Sequence, residues 1–510
     1  MIVTQVQSSL PWLVFAIPGA AGVLILLLGR FSGYIRAILA LAGSAGALAV
    51  SVAMALCVIK GGPHAHESLA LTAWGNELRV DALSAFLTLV ITGVGTVATV
   101  YSIKYMKLQA LLGHIGLEIT DRRLAVFYCL FMLFISTMLW GCVTNNIIML
   151  FVAVEATTLA SGFLVAFYWD KRGLEAGFKY LMLLTVGFTF ALFGCVLVFS
   201  GAASKGLPFP DAFLLSEIRN VAPQFDLTIA LMALAFLIVG FGTKAGIAPF
   251  HPWLPDAHAE APTPVSALLS GVMLKMAAYA LARTVTMFYS SLHPVTVFLM
   301  ALGAFTMVLG ILMALAQDDL KRLLAYSSVS QIGYVVMGIG IGTYLGVYGG
   351  LFHLLNHAIC KALLFMCVGA VIYATGIRNI SELGGISRKM PVTSACFFIG
   401  VLGISGMPPM NGFMSKLTIF LATASAHQWW ATIIAMLTGI LTLVALTRAA
   451  YRVFWGEPRS ENAAELKVRE VPASIWIGMA VLAGFVIFLG IYPQSIYPLL
   501  DGATKSLVAR

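Results

Sequence analysis

Charge is what this sequence has least of. Only 10% of its 510 residues are Asp, Glu, Lys or Arg, whereas 60% are hydrophobic, and the mean hydropathy is +0.96. A water-soluble fold needs far more polar surface, so lipid is the solvent. Cysteine is also scarce: the seven, at 57, 129, 142, 195, 360, 367 and 396, all fall in apolar runs without CxxC spacing. They read as small core hydrophobes rather than a disulfide framework or a metal site. No Gly-rich phosphate loop follows a strand pattern, and no His/Cys cluster has ligand spacing. No cofactor is therefore expected in this chain, whether nucleotide, flavin or iron–sulfur. The first twenty residues lack Lys and Arg, so the n-region of a cleavable signal peptide is missing and the first apolar segment is expected to be retained.

What is abundant is apolar length. Runs of 18 or more residues, each able to cross a hydrocarbon core of about 30 Å, occur near 11–30, 36–59, 80–102, 123–143, 146–168, 174–200, 226–248, 262–288, 294–317, 322–341, 344–375, 391–423, 428–455 and 472–500. The reading is an all-α integral membrane protein of about fourteen transmembrane helices, the eleventh and twelfth long enough to be bent or broken. No soluble domain interrupts them.

The formal charge of +9 is unevenly placed. With the N-terminus outside, eighteen basic residues fall in inside connections: Arg30, Arg36, Lys104, Lys107, Arg122, Arg123, Lys171, Arg172, Lys321, Arg322, Arg378, Arg388, Lys389, Arg448, Arg452, Arg459, Lys467 and Arg469. Outside there are six: Lys60, Arg79, Lys205, Arg219, Lys505 and Arg510. This positive-inside bias is expected to put both termini on the outer side of the membrane. The basic excess thus records orientation and not a nucleic-acid partner.

Two segments are interrupted by Gly and Pro: Gly240 to Pro255, and Gly403 to Lys416 through Pro408, Pro409 and Gly412. A proline removes a backbone hydrogen bond, and such a break persists at membrane depth only against protein or a water-lined cavity. Paired broken helices point to a transport site in a repeated architecture. The organisation expected is 1–122 (three helices), 123–288 (first repeat), 294–455 (second repeat) and 472–510 (the last span).

Ionisable groups within the spans are few and expensive. Glu155 is the one acid securely inside a span; Lys179, Lys244, Lys275, Lys361 and Lys416 are the lysines. Each deep charge costs roughly 3 kcal/mol on insertion scales, which one structural ion pair does not explain. Burial brings Glu and Lys proton affinities toward each other, and a nearby opposite charge pulls them back. A Glu–Lys pair that forms and parts is therefore a proton switch. Glu155 and Lys244 are assigned that role, Lys275 the next acceptor and Lys416 the outlet. His353, His357 and Lys361 follow at i, i+4 and i+8, on one helical stripe roughly 80° wide, where imidazoles can relay protons between lysines. Lys179, His251, Asp256 and His258 are secondary candidates, the last three forming with Glu260 either an inner entrance for protons or a polar loop. Arg283 reads as an interfacial anchor, and Asp318, Asp319, Lys321 and Arg322 as a solvated charged turn.

The stretch from Lys244 through Pro249, His251, Pro255 and His258 to Ser270 resembles the antiporter-like subunits of respiratory complex I. Their family includes membrane-bound nickel–iron hydrogenases and multisubunit cation/proton antiporters. Leu320 to Ser328 and His353 to Lys361 match two further signatures, and Thr144 to Ser161 with Leu174 to Tyr180 looks most like the F-type subunit of hydrogenase-4. The resemblance covers roughly residues 80–455. It implies two inverted five-helix repeats and proton-translocating roles for Glu155, Lys244, Lys275 and Lys416, with His353, His357 and Lys361 between. It also implies partners, namely other membrane subunits and a peripheral redox module, most simply a hydrogenase-type one, supplying the energy. The family pattern includes a member with glutamate where Lys416 stands and one with a long lateral C-terminal helix that this chain lacks, departures that favour a hydrogenase-type or medial subunit. The alternatives are a sodium/proton antiporter subunit, which would want more oxygen ligands than one deep carboxylate provides, or a membrane subunit of an inorganic-carbon uptake complex.

Overall fold

In lipid a backbone must satisfy its own hydrogen bonds, and a helix does so within one segment. The computed structural model describes residues 3–59, 68–112, 120–457 and 468–508; Lys60, Arg459, Lys467 and Arg510, counted in the charge bias, lie outside the described residues. The apolar runs become α1 (Leu10–Leu28), α2 (Gly33–Ile59), α3 (Ala82–Leu112), α4 (Asp121–Val143), α5 (Ile147–Val165), α6 (Lys171–Ser204) and α7 (Leu227–Ala245). A short α8 (Trp253–Glu260) precedes α9 (Thr263–Phe288), α10 (His293–Leu315), α11 (Leu320–Gly340) and α12 (Tyr344–Thr375). The chain continues through α13 (Pro391–Ser405), α14 (Asn411–Ser425), α15 (Trp429–Trp455), α16 (Ala473–Ile491) and the short α17 (Tyr497–Val508).

Thirteen helices among the described residues are long and apolar enough to cross a membrane. The remaining expected span, 391–423, is the broken pair α13 and α14, each too short to cross alone. The eleventh span departs from expectation: α12 runs unbroken for 32 residues, because no proline lies within it. The other break follows α7, where Gly246 takes a left-handed conformation (φ 76°) before α8 resumes the path. Five successive crossings, α4 to α9, are an odd number, so the five that follow start from the opposite face. That count is what inverts one repeat against the other.

Strands form outside the spans. β1 (Val3–Gln7) pairs in parallel with β2 (Ser68–Ala73), Val3 opposite Ser68, and β2 pairs antiparallel with β3 (Leu78–Val80), Leu71 opposite Val80. The sequence reading did not anticipate this sheet, since six- and three-residue strands leave too short a periodic pattern.

The bundle centre is α9, α11 and α12. Every residue in the most apolar stretch of α9 is buried, against one third for α1 and α2. A helix apolar all round belongs inside other protein, yet α9 carries Lys275 and α12 carries His353, His357 and Lys361, all fully buried.

Candidate proton-transfer site

The first cluster is built on α5, capped by Asn146, whose side chain accepts from the Ile148 and Met149 amides. Two turns in, Glu155 is half-buried and faces α6, where Thr185 Oγ1 donates to its Oε1 at 3.4 Å. Thr158, one turn on and on the same face, donates to Glu155 Oε2 at 3.2 Å. Lys244, fully buried in the last turn of α7, donates from Nζ to Val154 O at 3.1 Å and to Thr158 Oγ1 at 2.5 Å. The expected Glu155–Lys244 pair is therefore bridged: no direct ion pair joins them among the described residues, and one hydroxyl accepts from the ammonium while donating to the carboxylate. A hydroxyl can do both at once. The break orients this lysine. Gly246 has no Cβ where one would lie 2.6 Å from Leu254, and Trp253 Nε1 occupies the end carbonyl of Thr243 at 2.9 Å.

The second cluster sits where α9 widens into a π-turn at Leu269–Met273, a distortion frequent at functional sites. Lys275 donates to the Ser270 carbonyl. Ser270 and Ser328 hydroxyls meet at 2.8 Å, and Ser328 donates to Leu324 O at 2.9 Å. Lys361 donates to the same Leu324 carbonyl at 3.0 Å and to Ser327 Oγ. Lys361 thus touches a serine-lined turn of α11 directly, and Lys275 is linked to that turn only through Ser270.

The third cluster continues along α12. The His357 and His353 rings lie 6.3 Å apart and nearly parallel. His353 Nδ1 is 3.1 Å from Ser415 Oγ, and its Nε2 is 3.1 Å from Gln331 Oε1, whose amide donates to Thr442 at 3.3 Å. Lys416, on α14, donates to Ser405 O at 3.2 Å and lies 4.8 Å over the Tyr334 ring. Ser405 ends α13, where the helix dipole favours a cation. Both His357 nitrogens, Asn356 Oδ1, Asn411 Nδ2 and Ser405 Oγ find no protein partner among the described residues. This is polar valence that ordered water satisfies in protein interiors.

The secondary candidates divide. Asp256 is engaged by Arg322 at 2.8 Å and Lys179 at 3.6 Å, and Lys179 also pairs with Glu175 at 2.8 Å. Lys179 is thus tied into an ionic group rather than snorkelling freely. Lys321 is not a solvated turn residue: it is buried and donates to Ala261 O at 2.8 Å. Arg378 pairs with Asp319 and with Glu260 at 3.4 Å. His251 is buried beside Tyr326, ring centres 6.3 Å apart. His258 is fully buried, stacked 4.8 Å from the Phe365 ring and within the fields of Lys361, Lys321 and Lys275. Sequence reasoning missed Thr158, Ser270, Ser328 and Gln331. The available cue was spacing, since Thr158 stands one turn from Glu155 and α11 carries Ser327, Ser328 and Ser330 within four residues.

The description "NADH:quinone oxidoreductase/Mrp antiporter, TM" matches residues 144–442, more than half the chain and all three clusters. The chain belongs to that family. A second family description, the N-terminus of complex I chain 5, matches residues 75–110. NADH-quinone oxidoreductase subunit N of Desulforudis audaxviator is 33% identical over 503 residues, 96% of this chain and 97% of that one. Hydrogenase-4 component B of Escherichia coli is 32% identical over 445 residues, 82% of this chain and 63% of its own length, so the present chain spans under two thirds of that relative. Among solved structures, a chain of the membrane-bound sulfane sulfur reductase, an archaeal respiratory membrane complex, superposes with a TM-score of 0.85 at 26% identity, over 98% of both chains. As expected for this antiporter-like family, the chain is a multi-pass membrane protein.

Proposed function

We propose that this chain carries protons across the membrane as one subunit of a larger redox-driven complex of the hydrogenase-4 or complex I type. The conducting groups are Glu155, Thr158 and Lys244, then Lys275, Lys361, His357 and His353, and finally Lys416. One observation carries the reading: Glu155 and Lys244 share the Thr158 hydroxyl, Ser270 and Ser328 link the turns beside Lys275 and Lys361, and His353 meets Ser415 and Gln331. The spans 123–288 and 294–455 act as two halves of the path, each opened by its own break. His258, flanked by three lysines, feeds the middle cluster from the inner side. Asp256 and Lys179 hold the inner ends of α6, α8 and α11 together and do not carry protons. The basic excess supports both termini lying on the outer side of a bacterial inner membrane. Energy arrives through a partner module, for which a hydrogenase-type one is the first choice.

The mechanism follows from charge. With Glu155 ionised, Lys244 is stabilised as an ammonium through Thr158. Protonating or displacing Glu155 removes that stabilisation, and a lysine held in low dielectric then gives up its proton. Lys275 is the receiver, and the Ser270–Ser328 turn couples it to Lys361. The test is proton uptake by vesicles carrying the assembled complex with Lys244→Ala. Loss of uptake with normal assembly supports the reading, and undiminished uptake removes Lys244 from the path. Identifying the soluble subunits that co-purify decides the partner; membrane partners alone would favour the sodium/proton antiporter reading.

A further inference from the structure

One buried tyrosine outside the proposed path joins the supports of its first two lysines. Tyr180, on α6, is buried together with Ser161 of α5, Trp253 of α8 and Met273 of α9. Its ring meets the Trp253 ring edge-on, centres 5.1 Å apart at 79°, and Trp253 holds the Thr243 carbonyl next to Lys244. The Tyr180 hydroxyl lies 2.5 Å from Ser161 Oγ and 3.3 Å from Met273 Sδ. Ser161 in turn bonds the carbonyls of Thr157 at 2.5 Å and Thr158 at 3.3 Å, and Thr158 is the residue that bridges Glu155 and Lys244. Met273 closes the π-turn whose Ser270 carbonyl takes Lys275. Tyr180 therefore touches what supports Lys244 on one side and what supports Lys275 on the other.

This node has fewer hydrogens than contacts. Each hydroxyl donates one hydrogen, so two hydrogens serve three contacts: Ser161 with the α5 carbonyls, Ser161 with Tyr180, and Tyr180 with Met273. In one arrangement Ser161 donates to the Thr157 carbonyl and Tyr180 donates to Ser161, leaving the sulfur unbonded. In the other, Ser161 donates to Tyr180 and Tyr180 donates to Met273. The remaining combination sets two oxygens 2.5 Å apart with no hydrogen between them, which is repulsive. The first arrangement turns both hydrogens toward α5, the helix that carries Glu155; the second turns both away from it. A carboxylate attracts the positive end of a hydroxyl dipole, strongly so in a low-dielectric interior, and Tyr180 lies within the field of Glu155. An ionised Glu155 therefore favours the first arrangement, and loss of its charge favours the second. A purely structural tyrosine would be settled by a single acceptor; this one has two, on different helices.

We propose that Tyr180, with Ser161, is a positioning residue that relays the charge state of Glu155 to the π-turn holding Lys275. It carries no proton along the path, since each hydroxyl keeps its own hydrogen and only turns. With Glu155 ionised, the Met273 sulfur is left free. When that charge is lost, Tyr180 takes the sulfur and fixes the π-turn at the moment Lys244 releases its proton toward Lys275. This rests on the reading of Glu155, Lys244 and Lys275 as proton carriers.

The experiment uses vesicles of the assembled complex, with a pH-sensitive dye for transport and infrared difference spectra between resting and driven states. Tyr180→Phe keeps the ring against Trp253 and removes the hydroxyl, and driven proton movement is expected to fall severalfold with assembly unchanged. Met273→Leu removes the far acceptor at similar volume and should cause a similar deficit. Both changes break one link, so the double variant should be no slower than Tyr180→Phe alone, whereas deficits that multiply overturn the coupling. The spectra supply a readout that packing would not move. The C–O band of one tyrosine, absent in Tyr180→Phe, should shift on driving as the phenol changes acceptor, and the shift should vanish in Glu155→Gln. An unshifted band, a shift that survives Glu155→Gln, or parental transport in Tyr180→Phe overturns the proposal. If Tyr180→Phe does not assemble, Ser161→Ala and Met273→Leu, singly and together, take its place, and parental rates or multiplying deficits overturn the coupling. Lys244→Ala, measured alongside, separates the failures: if it stops transport while Tyr180→Phe does not, this coupling falls and the path stands; if it leaves transport intact, the path itself falls.

Discussion

The two helix breaks are alike in backbone and unlike in chemistry. Each follows a helix ending in a left-handed glycine, Gly246 at φ 76° and Gly406 at φ 81°, and each keeps a buried lysine close by. At the first break Lys244 reaches a carboxylate through one hydroxyl. At the second, Lys416 has a carbonyl and an aromatic face and no carboxylate partner among the described residues. The same backbone device thus holds an acid–base switch in one half and a cation stabilised only by dipoles and a ring in the other. A switch needs something to pull against. On the proposal that these groups carry protons, the first half responds to an external event at Glu155 and the second passes on what it receives.

That contrast can be broken experimentally. Removing the switch should cost most: Glu155→Gln leaves Lys244 without a countercharge, and driven transport should fall at least tenfold, the effect of about 1.4 kcal/mol on a barrier. Lys416→Ala should cost less, because the histidines and the polar groups near Asn411 still offer a route; a deficit equal to that of Glu155→Gln would erase the distinction between the halves. Thr158→Val keeps shape but severs the hydroxyl bridge, and it strands a buried ammonium on one carbonyl at a cost of roughly 1–3 kcal/mol. Transport should drop severalfold with assembly retained, and an unaltered rate would mean that Glu155 and Lys244 communicate without it. The smallest effect is expected of Gly406→Ala. Its Cβ would sit 2.9 Å from Lys416 Cδ, and a left-handed alanine costs about 1–2 kcal/mol, so thermal stability of the complex should fall modestly and transport about twofold.

Much of this was legible because membrane insertion makes charge costly. Glu155, Lys244, Lys275, His353, His357, Lys361 and Lys416 stood out against an apolar background, and the Pro and Gly pairs marked both breaks. The spans could be read from hydropathy, although the segment 391–423 concealed two short helices and 344–375 one long one, because hydropathy reports depth and not continuity. The connecting groups were hidden for a physical reason. Serine, threonine and glutamine are common enough in buried helices that only three-dimensional proximity separates Thr158 or Gln331 from side chains that bond only their own backbone, as Thr92 and Thr99 do. The ion pair of Arg283 was not foreseen because its partner, Asp81, lies 202 residues away.

Charge and proton transfer can be separated at the centre of the bundle with Lys275→Arg. Arginine keeps the positive charge but does not release its proton, so a structural or purely electrostatic role would survive the exchange. In vesicles bearing the fully assembled complex, driven proton uptake is expected to be lost. Uptake at the parental rate would contradict a proton path through the buried lysines.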